Sequence, residues 1–341
     1  MAAPSTSQQN YINEFNSKDY LNTSYRANGG LLLGEWTGFV LPNLHETFTK
    51  GGVKGDTLLD FGTGASIYQL LSACEVFDKI IVSDLLEQNR AEFQKWLKKD
   101  PDAFDWTHII EHVCELEGNR WNCEQKAEKL RSKVKEVLKC DALKRNPYDP
   151  IVVPPVDCLL CCLCLECPSK DIKSYCDVLK NFQDLIKPGG HLLILGTLNA
   201  TFYHAGNKRF NLMTARKEDL EKAIKDAGYE IVKVVYAPRI DKSRMDIADF
   251  DGLHLFSLLL PPPSSGRLAD LMLQANLCHL TAAGGKKKEE YLALCWWWWG
   301  WGVISLSGNT LHLLNYRTFN FNSKKIDCQL VLKWLWEPVI R

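Results

Sequence analysis

Short apolar runs alternate with amphipathic segments through the middle of the chain. Apolar runs bounded by glycine, proline or acidic residues are typical of buried strands, and apolar residues three or four apart are typical of helices. The predicted strands are 57–61, 79–83, 156–165, 191–195, 229–237 and 252–260, and the predicted helices are 67–74, 88–97, 124–138, 172–186 and 217–227. This alternation predicts a doubly wound α/β sheet with its ligand at the carboxyl ends of the strands.

The two ends of the chain differ from this middle. Before the first strand, Tyr11 precedes Phe15 by four residues, and such spacing predicts a short helical cap. After residue 260 the chain runs through prolines and lysines to a tryptophan run at 296–299, without clear periodicity. We therefore predict one domain over residues 1–260 and an atypical, disordered tail over 261–341. The apolar stretch 292–306 is shorter than the roughly twenty residues that span a bilayer.

Composition limits the classes of partner. Lysine plus arginine equals aspartate plus glutamate at 41 each, so net charge gives no reason to expect binding to nucleic acid or to an anionic membrane. The first residues have no secretion-signal pattern, and the 13 cysteines are expected to be reduced thiols. We expect a cytoplasmic monomer that binds neither nucleic acid nor membrane.

The first predicted strand ends in an acid and a glycine turn, Asp60-Phe61-Gly62-Thr63-Gly64. Two glycines let the backbone turn sharply and approach a ligand, and a helix beginning behind them would offer free N–H groups to an anion. Ile67 stands where a dinucleotide fingerprint needs a third glycine, and no P-loop lysine follows. Asp84 ends the next strand, where it could hold two ribose hydroxyls. The pattern therefore favours an S-adenosylmethionine site over a turn without a ligand.

Other residues leave alternatives open. Asp141 could accept from an adenine amino group, although a solvated loop aspartate explains it slightly better. Tyr11, Tyr20 and Tyr25 could close over a flat substrate or simply pack as a cap.

A cysteine cluster also has two interpretations. It contains two C-x-x-C pairs, but only two residues separate the pairs, whereas zinc sites of this kind place about a dozen or more between them. Small buried core thiols explain the cluster better, and we expect no metal. The cluster consists of Cys158, Cys161, Cys162, Cys164 and Cys167.

Longer motifs make the chain resemble a known family. They include Asp19-Tyr20-Leu21, Leu59-Asp60-Phe61-Gly62-Thr63-Gly64, Ile67-Tyr68-Gln69-Leu70-Leu71-Ser72-Ala73-Cys74-Glu75, Ala103-Phe104-Asp105-Trp106, Leu163-Cys164-Leu165-Glu166 and Leu185-Ile186-Lys187-Pro188-Gly189-Gly190. Over about three quarters of its length the chain resembles the vertebrate methyltransferases of nicotinamide, phenylethanolamine and indolethylamine. The resemblance implies their seven-stranded, Rossmann-like methyltransferase sheet with an N-terminal helical cap.

The resemblance also implies site residues. Those matching cofactor contacts are Tyr20, Tyr25, Gly62, Thr63, Gly64, Tyr68, Asp84, Asn89, Asp141, Ala142 and Cys162. Those expected in the substrate pocket are Tyr11, Gly196, Tyr203 and Leu212. Asp84 and Asn89 would face the ribose, the glycine turn the amino-acid end, and Asp141 with Ala142 the adenine of S-adenosylmethionine.

Two departures from the family concern the substrate. Nicotinamide-specific members have an aspartate at the position of Gly196 and a serine at that of Leu212, and the residues here cannot replace those hydrogen bonds. We expect methyl transfer to the nitrogen of a small aromatic amine of the indolethylamine type. Nicotinamide, a thioether sulfur, and a non-catalytic cofactor binder remain alternatives. Direct displacement needs mainly alignment, and the sequence identifies no general base.

Overall fold

The computed structural model of the chain describes residues 5–31 and 33–262, and the backbone of 303–307 and 310–314. The chain divides into two units after Pro262. In the second unit Val303–Ser307 pairs antiparallel with Thr310–Leu314, a strand pair that the sequence did not predict. The tryptophan run and the rest of the predicted disordered tail lie outside the described residues, so that prediction stays a prediction.

A seven-stranded mixed sheet forms the centre of the first unit. The strands of this unit are β1 (Gly55–Phe61), β2 (Phe77–Asp84), β3 (Val134–Lys139), β4 (Val156–Cys162), β5 (Ile186–Leu198), the hairpin β6 (Phe202–Ala205) and β7 (Lys208–Asn211), then β8 (Glu230–Pro238) and β9 (Gly252–Leu259). The sheet order is β3-β2-β1-β4-β5-β9-β8, with β9 antiparallel to both of its neighbours and the other pairs parallel. The predicted sheet is confirmed.

Helices cover the sheet and cap one end of it. They are α1 (Gln8–Glu14), α2 (Ser17–Tyr25), α3 (Leu33–Glu35), α4 (Leu41–Thr49), α5 (Glu87–Leu97), α6 (Thr107–Leu116), α7 (Cys123–Lys133), α8 (Ile172–Phe182) and α9 (Lys217–Asp226). Successive strand residues enter opposite cores, with Leu58 in one cluster and Leu59 in the other. Both faces are buried, which explains the nearly continuous apolar strands. Within the described residues, no helix is both long and apolar enough to span a bilayer.

The topology fixes where a ligand can bind. Strand β1 lies between β2 and β4, so the chain leaves β1 toward one side of the sheet and later returns on the other. The crevice at the carboxyl ends of such a pair of strands is the usual ligand position in an open α/β sheet. The glycine turn follows β1 directly and therefore lies at this crevice.

The predicted helix behind the glycine turn is wrong. Only two 3-10 turns form there, Tyr68–Leu70 and Ala73–Glu75. The hydroxyl of Ser66 donates to the Thr63 carbonyl (2.9 Å), and the Gln69 amide reaches back to Asp60 (2.8 Å). Side chains that bond their local backbone and neighbours compete with a regular helix. The anion site at a helix N-terminus, which the sequence analysis expected, is therefore not formed here.

Other element boundaries also differ from the predictions. No helix was predicted between residues 97 and 124, yet α6 lies there. The helix predicted for 124–138 ends at Lys133, and β3 begins at the next residue, Val134. Pairing with β2 overrides the helical propensity of this lysine- and glutamate-rich segment. Strand β5 begins at Ile186 rather than at residue 191, and the hairpin of β6 and β7 was missed.

Candidate active site

One cavity gathers nearly all the predicted site residues. It lies at the carboxyl ends of β1, β2 and β4, and α1 and α2 contribute to its walls. The predicted cofactor residues that line it are Tyr20, Tyr25, Gly62, Thr63, Gly64, Tyr68, Asp84, Asn89, Asp141, Ala142 and Cys162. From the predicted substrate pocket, Tyr11, Tyr203 and Leu212 line it, whereas Gly196 does not.

The glycine turn is open to the cavity because of its backbone geometry. Gly62 and Gly64 have φ values of +70° and +62°, which side chains on L-residues rarely tolerate. A Cβ added at Gly62 would also collide with the side chain of Cys164. The turn therefore leaves a cradle of bare backbone beside the cavity that only glycine can form.

Asp84 is held from several sides at the cradle. Its Oδ2 accepts from the Gly64 N–H (2.9 Å), and its Oδ1 accepts from the Leu86 N–H (2.8 Å) and the Asn89 amide (3.0 Å). Burial raises the pKa of this carboxyl group, and the three hydrogen bonds act in the opposite direction. A carboxylate offers about four acceptor positions, so capacity remains for a ligand hydroxyl.

Asp60 lies behind the cradle and is fully buried. Its Oδ2 accepts from the Thr63 hydroxyl (2.5 Å) and the Gln69 amide (2.8 Å), whereas its Oδ1 has no partner in the described part of the chain. Burial raises the pKa of Asp60 to about 7, and the two side-chain hydrogen bonds lower it. The acid that the sequence placed at the strand end thus supports the turn from inside.

The N-terminal cap forms hydrogen bonds with two of the predicted cofactor residues. The Gln8 amide donates to Asp141 Oδ1 (2.9 Å), although the two residues are 133 positions apart. The Ser17 hydroxyl donates to Asn89 Oδ1 (2.6 Å), which orients the Asn89 amide toward Asp84. Helices α1 and α2 are therefore part of the site.

Aromatic rings form the remaining walls. Tyr203 stacks on Phe210 with ring centroids 5.5 Å apart, and Tyr20 meets Tyr203 edge to face at 5.9 Å. The Tyr20 and Tyr25 hydroxyls lie 3.4 Å apart, and burial raises the pKa of Tyr20 to about 12. These neutral phenols give the cavity flat apolar walls with polar edges, which suit a small aromatic ligand.

Glu166 is a site residue that the sequence analysis missed. It follows β4, lines the cavity, is 4% exposed, and its Oε1 has no hydrogen-bond partner among the described residues. A buried carboxylate oxygen without a partner is costly unless a ligand or an ion satisfies it. Glu166 appeared in the sequence only within a resemblance motif, so its unpaired oxygen could not have been found from spacing.

Gly196 faces a different environment from the one expected. A Cβ there would collide with the Glu166 carboxylate and the His254 ring. His254 lies directly across from Gly196 in the antiparallel pairing of β5 and β9. The absence of a side chain at 196 therefore leaves room for an acid and an imidazole, and its role as a substrate contact stays a prediction.

The cysteine cluster divides between core and cavity. Cys158 and Cys161 are buried in opposite faces of β4, as small hydrophobic residues would be. Cys162, Cys164 and Cys167 line the cavity. Across the described ranges, no group of three or more His, Cys, Asp or Glu side chains has the arrangement of a metal site.

Comparisons with known proteins place the chain in a family. A family model described as NNMT/PNMT/TEMT family matches residues 3–257. Indolethylamine N-methyltransferase of Oryctolagus cuniculus is 46% identical over 235 residues, covering 69% of this chain and 89% of that protein. Nicotinamide N-methyltransferase of Homo sapiens is 44% identical over 227 residues, covering 66% and 86%. Phenylethanolamine N-methyltransferase of Sus scrofa is 37% identical over 224 residues, covering 64% and 78%.

The match includes the glycine turn, Asp84 and the aromatic cavity, so the family and the geometry agree. The cradle at Gly62 and the remaining acceptor capacity of Asp84 fit the cofactor expected from the sequence. The chain belongs to the NNMT/PNMT/TEMT family and is an S-adenosylmethionine-dependent N-methyltransferase.

Proposed function

We propose that the chain methylates the nitrogen of a small aromatic amine of the indolethylamine type. The observation that carries this proposal is Glu166, a buried acid with an unpartnered oxygen in an aromatic-walled cavity. Simple alkylamines are cations near neutral pH, and a carboxylate forms stronger hydrogen bonds with a charged donor than with a neutral amide. The name of the rabbit relative supports the same class of acceptor.

The cofactor roles follow the family resemblance. S-adenosylmethionine, when bound, supplies a methyl group that its positive sulfur already activates. Asp84 and Asn89 would hold the ribose, the glycine turn the amino-acid end, and Asp141 with Ala142 the adenine. Their presence along one cavity supports these assignments.

The chain itself would then align the reactants, exclude water and remove one proton from the acceptor. Tyr20 and Tyr203 would flank the acceptor ring, and the bonded cap would keep water out. Glu166 would bind the acceptor nitrogen as an ammonium and take one proton from it, which leaves the lone pair that attack requires. Leu212 offers no hydrogen bond to an amide, which disfavours nicotinamide.

The test is a methyl-transfer assay with tryptamine, nicotinamide and a dialkyl sulfide, on the wild type and on Glu166→Gln. We expect tryptamine to be the preferred nitrogen acceptor. The variant should lose about 100-fold in kcat for tryptamine, because glutamine cannot take the proton. A dialkyl sulfide has no proton to lose, so its methylation, where detectable, should be nearly unchanged in the variant.

The alternatives give different results in this assay. Preference for nicotinamide would refute the proposed acceptor, and turnover of the sulfide alone would identify a thioether methyltransferase. Cofactor binding without turnover of any acceptor would identify a non-catalytic homologue. Calorimetry with S-adenosylhomocysteine measures that binding separately and also shows that each variant is folded.

The expected cellular setting is also part of the proposal. A cytoplasmic monomer that binds neither nucleic acid nor membrane agrees with the balanced charge. Light scattering after size exclusion measures the mass, which should be that of one 38.8 kDa chain. Cell fractionation and liposome flotation of the full chain test the location, and recovery with membranes would refute it.

A further inference from the structure

A buried acid–imidazole pair lies at the edge of the cavity. Glu166 Oε1 and His254 Nε2 are 3.8 Å apart, and the two side chains are 5% and 0% exposed. Both ring nitrogens of His254 lack a hydrogen-bond partner among the described residues. Histidines with a purely structural role are usually fixed by at least one hydrogen bond, so two unpaired nitrogens beside an unpaired carboxylate oxygen require an explanation.

The pair depends on strand register and on a glycine. His254 is carried by β9 and faces Gly196 of β5 on one side and Tyr236 of β8 on the other. A side chain at 196 would occupy the space between the carboxylate and the ring. The pair is therefore a consequence of glycine at this position, in the same place where nicotinamide-specific relatives are expected to have an acid.

The other ionisable groups around the pair do not titrate near neutral pH. Charge interactions connect Glu166 with Cys161, Cys162, Cys164 and Cys167 and, from α8, with Tyr175. Burial raises the pKa of Cys161 to about 11, and the pKa values of the others are also raised, as is that of Tyr236. No lysine or arginine of the described chain forms an ion pair with Glu166. His254 is therefore the group that can share a proton with Glu166.

We propose that Glu166 and His254 act as one proton acceptor for the amine substrate, with His254 as the positioning residue behind the carboxylate. This inference rests on the proposed amine methylation. One N–H bond of the bound ammonium breaks, its electron pair stays on nitrogen, and the proton forms an O–H bond at Glu166 Oε1. The proton is then shared with His254 Nε2, and it leaves to water after the methylated product has gone.

The charges of the two groups explain why Glu166 with His254 accepts a proton more readily than Glu166 alone. A lone buried carboxylate that accepts a proton loses its charge, but with imidazole beside it the proton can instead rest on nitrogen as an ion pair. The pair changes from net negative to neutral while the ammonium changes from positive to neutral.

A binding measurement tests the pair without any methyl transfer. Nitrogen-15 labelling of histidine in the full chain allows the ring signals to be followed against pH, and the His254 signal is the one lost in His254→Phe. In Glu166→Gln, we expect the proton-binding constant of His254 to fall at least tenfold, because its negative partner is gone. A change of less than twofold would overturn the pairing whether or not the chain methylates amines.

The pH profile of kcat tests the catalytic consequence. In the wild type the rate should fall on acidification, since a protonated pair cannot accept the substrate proton. His254→Phe should lower kcat for tryptamine at least tenfold and move the acidic limb to lower pH, with S-adenosylhomocysteine affinity within twofold. Gly196→Ala should have the same effect, because the added methyl separates the two groups.

Matched variants control for simple disruption. His191→Phe removes another histidine of the same sheet, one whose Nδ1 also has no partner among the described residues. Gly34→Ala adds a methyl where no atom lies within 4 Å. Both should retain the wild-type profile. If the acidic limb of the kcat profile is unchanged in His254→Phe, the ring has only a packing role and the pairing is refuted. If neither the wild type nor any variant methylates an amine, the proposed function is refuted instead.

Discussion

The two ends of the cavity each contain a buried acid, Asp84 at one end and Glu166 at the other, and the two acids differ in their hydrogen bonding. At the cofactor end, Asp84 accepts three hydrogen bonds from protein donors before any ligand arrives. At the end proposed to bind the methyl acceptor, Glu166 Oε1 and both nitrogens of His254 have no partner within the described residues. A satisfied acid holds a ligand in a fixed position, whereas an unsatisfied pair is suited to take up a proton. The difference agrees with the proposal that the Asp84 end binds the cofactor and that the Glu166 end takes up the substrate proton.

Asp60 is the strongest challenge to this comparison, because it lies at the cofactor end yet keeps one oxygen unpaired. Burial raises the pKa of Asp60 in the folded chain to about 7, well above the usual range of an aspartate, so the folded chain binds the extra proton. Stability should therefore fall as pH rises from about 4 to about 7 and stay lower above that. At roughly 1.36 kcal/mol per pKa unit, the loss approaches about 4 kcal/mol.

Chemical unfolding of Asp60→Asn across this pH range measures the effect. The variant should lose less stability than the wild type on going from pH 4 to pH 8, because asparagine cannot ionise. The exposed Asp102→Asn serves as the control. Parallel curves of stability against pH for the wild type and Asp60→Asn would mean that Asp60 is paired or hydrated. In that case Asp60 would no longer be an exception to the comparison between the two ends.

Removal of Asp84 should have the next largest effect. In Asp84→Ala, the donors of Gly64, Leu86 and Asn89 lose their acceptor, and the expected ribose contacts disappear as well. Charge-assisted hydrogen bonds contribute about 1.5–3 kcal/mol each, so S-adenosylmethionine should bind about 100-fold more weakly. Calorimetry gives the affinity, with Asp102→Ala as the control. Binding as tight as in the wild type would refute the assignment of Asp84.

The smallest predicted effect concerns the cap. Ser17→Ala removes the donor to Asn89 Oδ1 and leaves the Asn89 amide without orientation toward Asp84. One hydrogen bond of about 0.5–1.5 kcal/mol corresponds to a roughly two- to tenfold loss of cofactor affinity. The exposed Ser132→Ala, whose hydroxyl bonds only its own helix, should bind like the wild type. If Ser17→Ala also does so, the cap does not contribute to preorganisation.

The cofactor end could be predicted from the sequence because its features are local. The glycines are two positions apart in the chain, and Asp84 ends the following strand, so apolar patterning and strand order suffice to bring them together. The 3-10 turns also have a local cause, which is that the side chains of Ser66 and Gln69 form hydrogen bonds with the glycine turn. The sequence analysis did not identify these bonds and predicted a helix instead.

The acceptor end could not be predicted because it depends on register between distant strands. Only the alignment of β5 with β9 places His254 opposite Gly196, and a shift by one residue would turn the imidazole to the other face. Glu166 carries no sequence signal for an unpaired oxygen. The sequence showed that glycine replaces an aspartate of the nicotinamide-specific relatives at position 196. It did not show that the Glu166 carboxylate and the His254 ring lie beside this glycine.

The position of β9 has a consequence for how the protein is made. This strand is the last of the central sheet to be synthesised, yet it lies between β5 and β8. Until the ribosome has released residues 252–259, the nascent chain presents two unpaired strand edges to its surroundings. Exposed edges of this kind recruit other chains. A premature stop in the loop between Pro238 and Gly252 would therefore yield an insoluble fragment, even though that fragment contains every predicted cofactor residue.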